Sequence, residues 1–118
     1  MNDINPIYNN GFGIAFQWKR GSIRDIRKVQ MVFRDTGLLL SKEELVRFSK
    51  CIQHTKEDNG LCGHCTKDEN CRALLLDTPA PQVTLAMSYK ELAELEDLVE
   101  GTIFQMNLDS YLNGIFNS

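Results

Sequence analysis

KVQMVFRDTGLLLSKEELVRFSKCI, residues 28–52, is the stretch whose reading decides the fold. Val29, Met31 and Phe33 alternate with Lys28, Gln30 and Arg34, the two-residue period of a half-buried strand. Asp35, Thr36 and Gly37 supply turn chemistry, so Leu38 to Leu40 reads as the returning strand of a hairpin. Ser41 and Glu44 then form a capping box: the serine hydroxyl can accept the amide three residues on, while the glutamate reaches back to the serine amide. Leu45, Phe48 and Ile52 recur at helical spacing, with Lys42, Arg47 and Lys50 left for water. After about three turns the pattern dissolves in Lys56, Glu57, Asp58, Asn59 and Gly60.

The same order returns downstream. Residues 72–77 read as a strand, 78–82 with Pro79 and Pro81 as a turn, and 82–87 as a second strand. Ser88 and Glu91 repeat the capping box, and Leu92, Leu95, Leu98, Val99, Ile103 and Met106 carry a helix to about Leu112. Gly101 weakens its middle, which predicts a kink or a close backbone contact there. Leu38, Leu40, Ser41 and Glu44 fall on Leu85, Met87, Ser88 and Glu91 at one offset of 47 residues.

Upstream, Ile14, Phe16 and Trp18 alternate with Ala15, Gln17 and Lys19, predicting a strand that turns its three large side chains to the core. Residues 1–13, rich in Asn and Gly, show no apolar period and read as a flexible tail or loop. The expected architecture is therefore α+β: a mostly antiparallel sheet of about four or five strands covered by two helices. It is a single domain of residues 1–118, with a possible ββα–ββα pseudo-repeat: a first hairpin plus helix over 28–52, a Cys-rich loop over 53–71, and a second hairpin plus helix over 72–112.

Composition narrows the function classes. The longest strictly apolar run, Ala73 to Leu76, is too short for a membrane span or a signal-peptide core, which predicts a cytoplasmic protein. The net charge of −3 argues against a generic polyanion binder. It is unevenly spread: residues 1–34 hold six Lys or Arg against two acids, while residues 35–118 hold seven against fourteen. No nucleophile elbow, phosphate loop, dinucleotide fingerprint or HExxH is present.

The strongest chemical signal is that all four cysteines and both histidines lie between Cys51 and Cys71, in the order Cys51, His54, Cys62, His64, Cys65, Cys71. A CxxC turn can present two thiolates to one tetrahedral ion, and in a reducing compartment zinc is a better partner for such thiols than a set of disulfides. Cys62, Cys65 and Cys71 are the core of the expected zinc site, with His54 as fourth ligand and Cys51 as the alternative, ahead of His64 inside the turn. Four soft donors also suit an iron–sulfur cluster, and reduced, unmetalled thiols or a Cys62–Cys65 disulfide are the bland alternatives.

The string from Cys62 and Cys65 through Cys71–Arg72, Leu74 to Leu76, Thr78–Pro79, Leu85–Ala86, Ser88, Glu91–Leu92 and Asp97–Leu98 to Gly101–Thr102 resembles a group of small bacterial proteins of unknown function. The resemblance covers mainly residues 62–112 and implies no reaction. Such relatives often carry a further cysteine pair near the first strand, which is missing here at Phe16 to Gly21 and puts any second metal site in doubt.

These readings make a non-enzymatic, zinc-stabilised protein-interaction or regulatory module the leading expectation. A protein partner or a second copy would cover Val32 or Leu39, or the tail of Tyr111, Leu112, Ile115 and Phe116, unless that tail packs within its own chain. The alternative is a nucleic-acid-associated accessory protein using Lys19, Arg20, Arg24, Arg27, Lys28 and Arg34, although the inward reading of Phe16 and Trp18 removes its stacking rings. A metal-dependent enzyme is third, with no catalytic residue assigned.

Overall fold

A computed structural model describes residues 3–20, 23–24, 27–59, 72 and 74–116 of the chain. The fold is α+β. Strands β1 (Ile4–Asn9), β2 (Gly13–Arg20), β4 (Lys28–Phe33) and β5 (Thr36–Ser41) form an antiparallel sheet in the order β1-β2-β4-β5, with the short β3 (Ile23–Arg24) paired to the end of β2. Helix α1 (Lys42–Asn59) follows β5; β6 (Leu74–Asp77) and β7 (Thr84–Met87) make a separate two-stranded sheet, and α2 (Tyr89–Phe116) follows β7. The second hairpin does not extend the main sheet; β6 lies against α1, while α2 crosses β1 and β2.

The central unit forms as its pattern predicts. Val29, Met31, Phe33 and Leu40 of the first hairpin and Leu45, Phe48 and Ile52 of α1 are buried in one core with Leu95, Leu98 and Val99 of α2. Both capping boxes close. The Ser41 N–H donates to Glu44 Oε1 (2.8 Å) while the Glu44 N–H donates to Ser41 Oγ (3.2 Å), and the Ser88–Glu91 pair repeats this at 2.9 and 3.1 Å.

Four expectations are corrected. Residues 4–9 are a strand, not a leading loop: a bulge between Pro6 and Tyr8 resets the alternation, so Ile7 and Tyr8 both pack on the core and no two-residue period is visible. The faces of β2 are reversed, with Ala15 and Gln17 buried on the helix side and Trp18 half-exposed on the far side; Phe16 is buried as expected, but beside Trp18 and outside the main core. Helix α2 comes close here: a Cβ on Gly13 would lie 3.1 Å from Leu98 Cδ2, besides 2.4 Å from the Val32 carbonyl oxygen of β4. The first hairpin turns at Arg34–Asp35, because Phe33 already pairs with Thr36 and Gly37 with Val32. Helix α1 runs 18 residues to Asn59, past the point where its apolar pattern fades. Its polar last turns are held by α2: Ser49 donates to Glu100, and Gln53 and Lys56 donate to Glu96.

Candidate functional site

The sequence-derived metal ligands fall into two groups. His54 lies in the later turns of α1, with its side chain 74% exposed and Nε2 3.1 Å from Asp58 Oδ2. Cys51, three residues earlier, is half-buried and packs against the core; burial pushes its thiol pKa up and favours the neutral form over the ligating thiolate. Cys62, His64, Cys65 and Cys71 lie outside the described residues. Among the described residues, no group of three or more His, Cys, Asp or Glu side chains is arranged to hold a metal ion.

The main sheet carries an apolar surface that the alternation of β2 had hidden. Cross-strand pairing brings Ile4 beside Trp18, Pro6 beside Phe16, Ile14 beside Val32 and Gln30 beside Leu39, all on the face turned away from the helices. Trp18 and Leu39 are half-exposed and Val32 more than a third exposed. Trp18 stands edge-on to Phe16 with ring centroids 5.1 Å apart, and its Nε1–H donates to Gln30 Oε1 at 3.2 Å. These contacts hold the indole on Phe16 and Gln30 while about half of the residue stays exposed to solvent. The charged side chain described on this face is Lys28, which is exposed.

Two polar clusters tie the elements together. The Arg72 guanidinium makes two bonds to Glu91, and Arg34 Nη1 is shared between the Ala86 carbonyl (2.9 Å) and Glu91 Oε2 (3.3 Å). Glu91 is held down to about 2, first by Arg72 and then by the Ser88 amide and Arg34, against the opposing effect of burial. An open hollow of about 290 Å³ lies beside this cluster, between Arg34, Asp35 and Thr36 on one side and Arg72 and Thr84 to Ala86 on the other. Both arginines are engaged by Glu91, so the cluster acts as a strut between the first hairpin, β7 and the start of α2. In the second cluster, Asn10 Oδ1 accepts the Phe12 and Gly13 amides, and its Nδ2 donates to the Glu94 carbonyl and to Asp97. Tyr8 donates its hydroxyl to the same Asp97 oxygen at 2.9 Å, and this bond to a carboxylate raises the phenol pKa.

Of these polar groups the sequence reading singled out Ser88 and Glu91, through their capping box, and Arg34, as part of the basic segment; Arg72, Asn10, Tyr8 and Asp97 had no role assigned. The uncovered sheet face was legible in part, from Val32 and Leu39 on the outward positions of the first hairpin. Comparison with protein-family models, with curated proteins and with solved structures finds no match. Among the described residues, no helix is long and apolar enough to cross a membrane.

Proposed function

We propose that this chain is a non-enzymatic protein-interaction or regulatory module that docks a partner on the helix-free face of its main sheet. The observation that carries the reading is the half-exposed Trp18 and Leu39 with Val32 between their strands, an apolar patch on the order of 300 Å², a size at which surface patches are often functional. Lys28 beside the patch favours a partner that is apolar at its centre and acidic at its rim. The test is quantitative co-purification with the wild-type chain and with a Val32→Asp/Leu39→Asp variant. A protein retained by the wild type and lost by the variant, while the variant keeps its thermal transition, supports the reading; an identical set of retained proteins overturns it.

Zinc belongs to the same proposal, held by Cys62, Cys65, Cys71 and His54, with Cys51 as the alternative fourth ligand. Support comes from the chemistry of the donors and from the two anchors of the segment: α1 ends at Asn59, and Arg72 is clamped to Glu91. A bound ion worth about 10–16 kcal/mol in small peptide sites would offset ordering the polar chain between these anchors. One zinc per chain by elemental analysis, lost in Cys62→Ser/Cys65→Ser, is the expected result; a brown sample or metal-free protein overturns it. The hairpin–helix units on either side of this segment, in each of which a capping box opens the helix, are read as a pseudo-repeat.

One observation favours a second reading, a nucleic-acid accessory role. Trp18 offers a ring on the same face as Lys28, where bases could stack and a phosphate could be held. Binding to single-stranded oligonucleotides that weakens steeply with salt and is lost in Trp18→Ala would establish it, and no binding at low salt removes it.

A further inference from the structure

Helix α2 is 28 residues long, about 42 Å, in a molecule measuring 51 × 30 × 26 Å. It packs on its own core through Leu92, Leu95, Leu98, Val99 and Thr102, and its contacts with that core reach as far as Met106. Every side chain from Asn107 to Leu112 is exposed. Phe104 and Tyr111 are 63% and 66% exposed, and Leu108 and Leu112 more than a third. At roughly 100° per residue, these four point about 180° away from the buried set, so they form a second apolar face rather than a continuation of the first.

Charge divides the helix in the same place. Residues 89–100 carry Lys90, Glu91, Glu94, Glu96, Asp97 and Glu100, whereas residues 101–116 carry only Asp109, which lies about 100° from the centre of the exposed stripe. Residues 107–112 are exposed and include Asn107 and Ser110, poor helix formers, so propensity alone gives this part of the helix little stability in water. A surface along Phe104, Leu108, Tyr111 and Leu112 would supply it.

We propose that this surface is the same half of α2 in a second copy of the chain, packed antiparallel about a two-fold axis near Leu108. In that arrangement Phe104 of each copy meets Leu112 of the other, and Leu108 meets its own equivalent, the reciprocity an isologous interface requires. The acidic half of each helix stays beyond the overlap, and the two bodies lie at opposite ends, whereas a parallel pairing would drive them into one another. Large aromatics bury about 150–250 Å² each, so at their observed exposures the four side chains offer roughly 400 Å² per copy. The two copies together therefore bury roughly 800 Å² through these side chains, below the roughly 1,200 Å² of standard specific interfaces and the size of a weak dimer that forms at high concentration. Nothing in this depends on the sheet face, which stays open in the dimer.

The test uses the full chain in sedimentation velocity over micromolar to submillimolar concentrations, together with hydrogen exchange. The expected species has twice the 13.5 kDa chain mass. Leu108→Glu and Tyr111→Glu, both at exposed positions, each give a monomer that still unfolds in one cooperative transition, while Leu39→Asp on the sheet leaves the dimer intact. Amides of residues 107–116 lose their exchange protection in the monomeric variants, and those of residues 92–102 keep theirs. A wild-type monomer throughout the range, a dimer that survives Leu108→Glu, or one that Leu39→Asp dissociates overturns the proposal. Protection of residues 107–116 in a monomeric wild type assigns the stripe to another part of the same chain and overturns it equally.

Discussion

The Arg72 guanidinium forks onto the Glu91 carboxylate, with Nε 3.0 Å from Oε1 and Nη2 2.8 Å from Oε2. Glu91 is at once the capping residue of α2, the clamp on the chain entering β6 and the acceptor for Arg34. Its carboxyl is held at about 2 in the fold against an ordinary 4.5. A carboxyl depressed on folding contributes stability above its unfolded pKa, and that contribution disappears as pH falls from about 4.5 towards 2. Glu91→Gln is expected to cost about 1–2 kcal/mol at neutral pH, solvent screening at the half-exposed Arg72 keeping the figure small. Urea unfolding of wild type and variant should converge as the pH approaches about 2; a constant gap would show that the carboxylate charge is not what stabilises the strut.

Gly101 sits in mid-helix, where alanine is ordinarily better by about 1 kcal/mol. Here a Cβ would fall 2.4 Å from Cε2 and Cζ of Tyr8, whose hydroxyl is bonded to Asp97. Gly101→Ala must push the ring off its partner and is expected to destabilise by about 1–3 kcal/mol. In a Tyr8→Ala background the same substitution should become neutral or stabilising, a change of sign that a double-mutant cycle of thermal unfolding reads directly.

The ββα unit of residues 28–52 was legible because alternation, capping box and helical period all named one arrangement, although the turn falls at Arg34–Asp35 rather than over residues 35–37. The second unit was legible for the same reason, although α2 runs beyond Leu112 to Phe116. What the sequence hid were tertiary choices. Alternation in β2 says that two faces exist and not which one is buried; the packing of α2 on one of them decides that, and Trp18 falls on the other. Strand β1 was invisible because its bulge breaks the period it would be recognised by. At the proposed metal site, spacing named candidate donors, of which His54 and Cys51 fall among the described residues and Cys62, Cys65 and Cys71 lie outside them.

Gly13 is confined by its neighbouring strand more tightly than by α2. A Cβ there would lie 2.4 Å from the Val32 carbonyl oxygen and 2.8 Å from Phe33 Cβ, besides 3.1 Å from Leu98 Cδ2. Main-chain atoms of a paired strand cannot swing aside as the Tyr8 ring can, so Gly13→Ala is expected to cost about 3 kcal/mol or more, exceeding Gly101→Ala. Shortening the helix side with Leu98→Ala should not rescue it, since the nearest obstacle belongs to β4. Rescue by that second substitution, seen in denaturant midpoints, would place the constraint on α2 alone.

Arg34 occupies the first position of the two-residue turn between β4 and β5 with φ of 53°, a left-handed conformation that favours glycine. The side chain offsets this backbone cost by bonding the Ala86 carbonyl and Glu91. Arg34→Ala removes both bonds and keeps the strained backbone, whereas Arg34→Gly removes the bonds and the strain together. The glycine variant is therefore expected to be the more stable of the two by about 1 kcal/mol, measured as the difference in their unfolding free energies. Equal stabilities would mean that the turn relaxes once the arginine is gone, and that its conformation is imposed by Ala86 and Glu91 rather than by the pairing of Phe33 with Thr36.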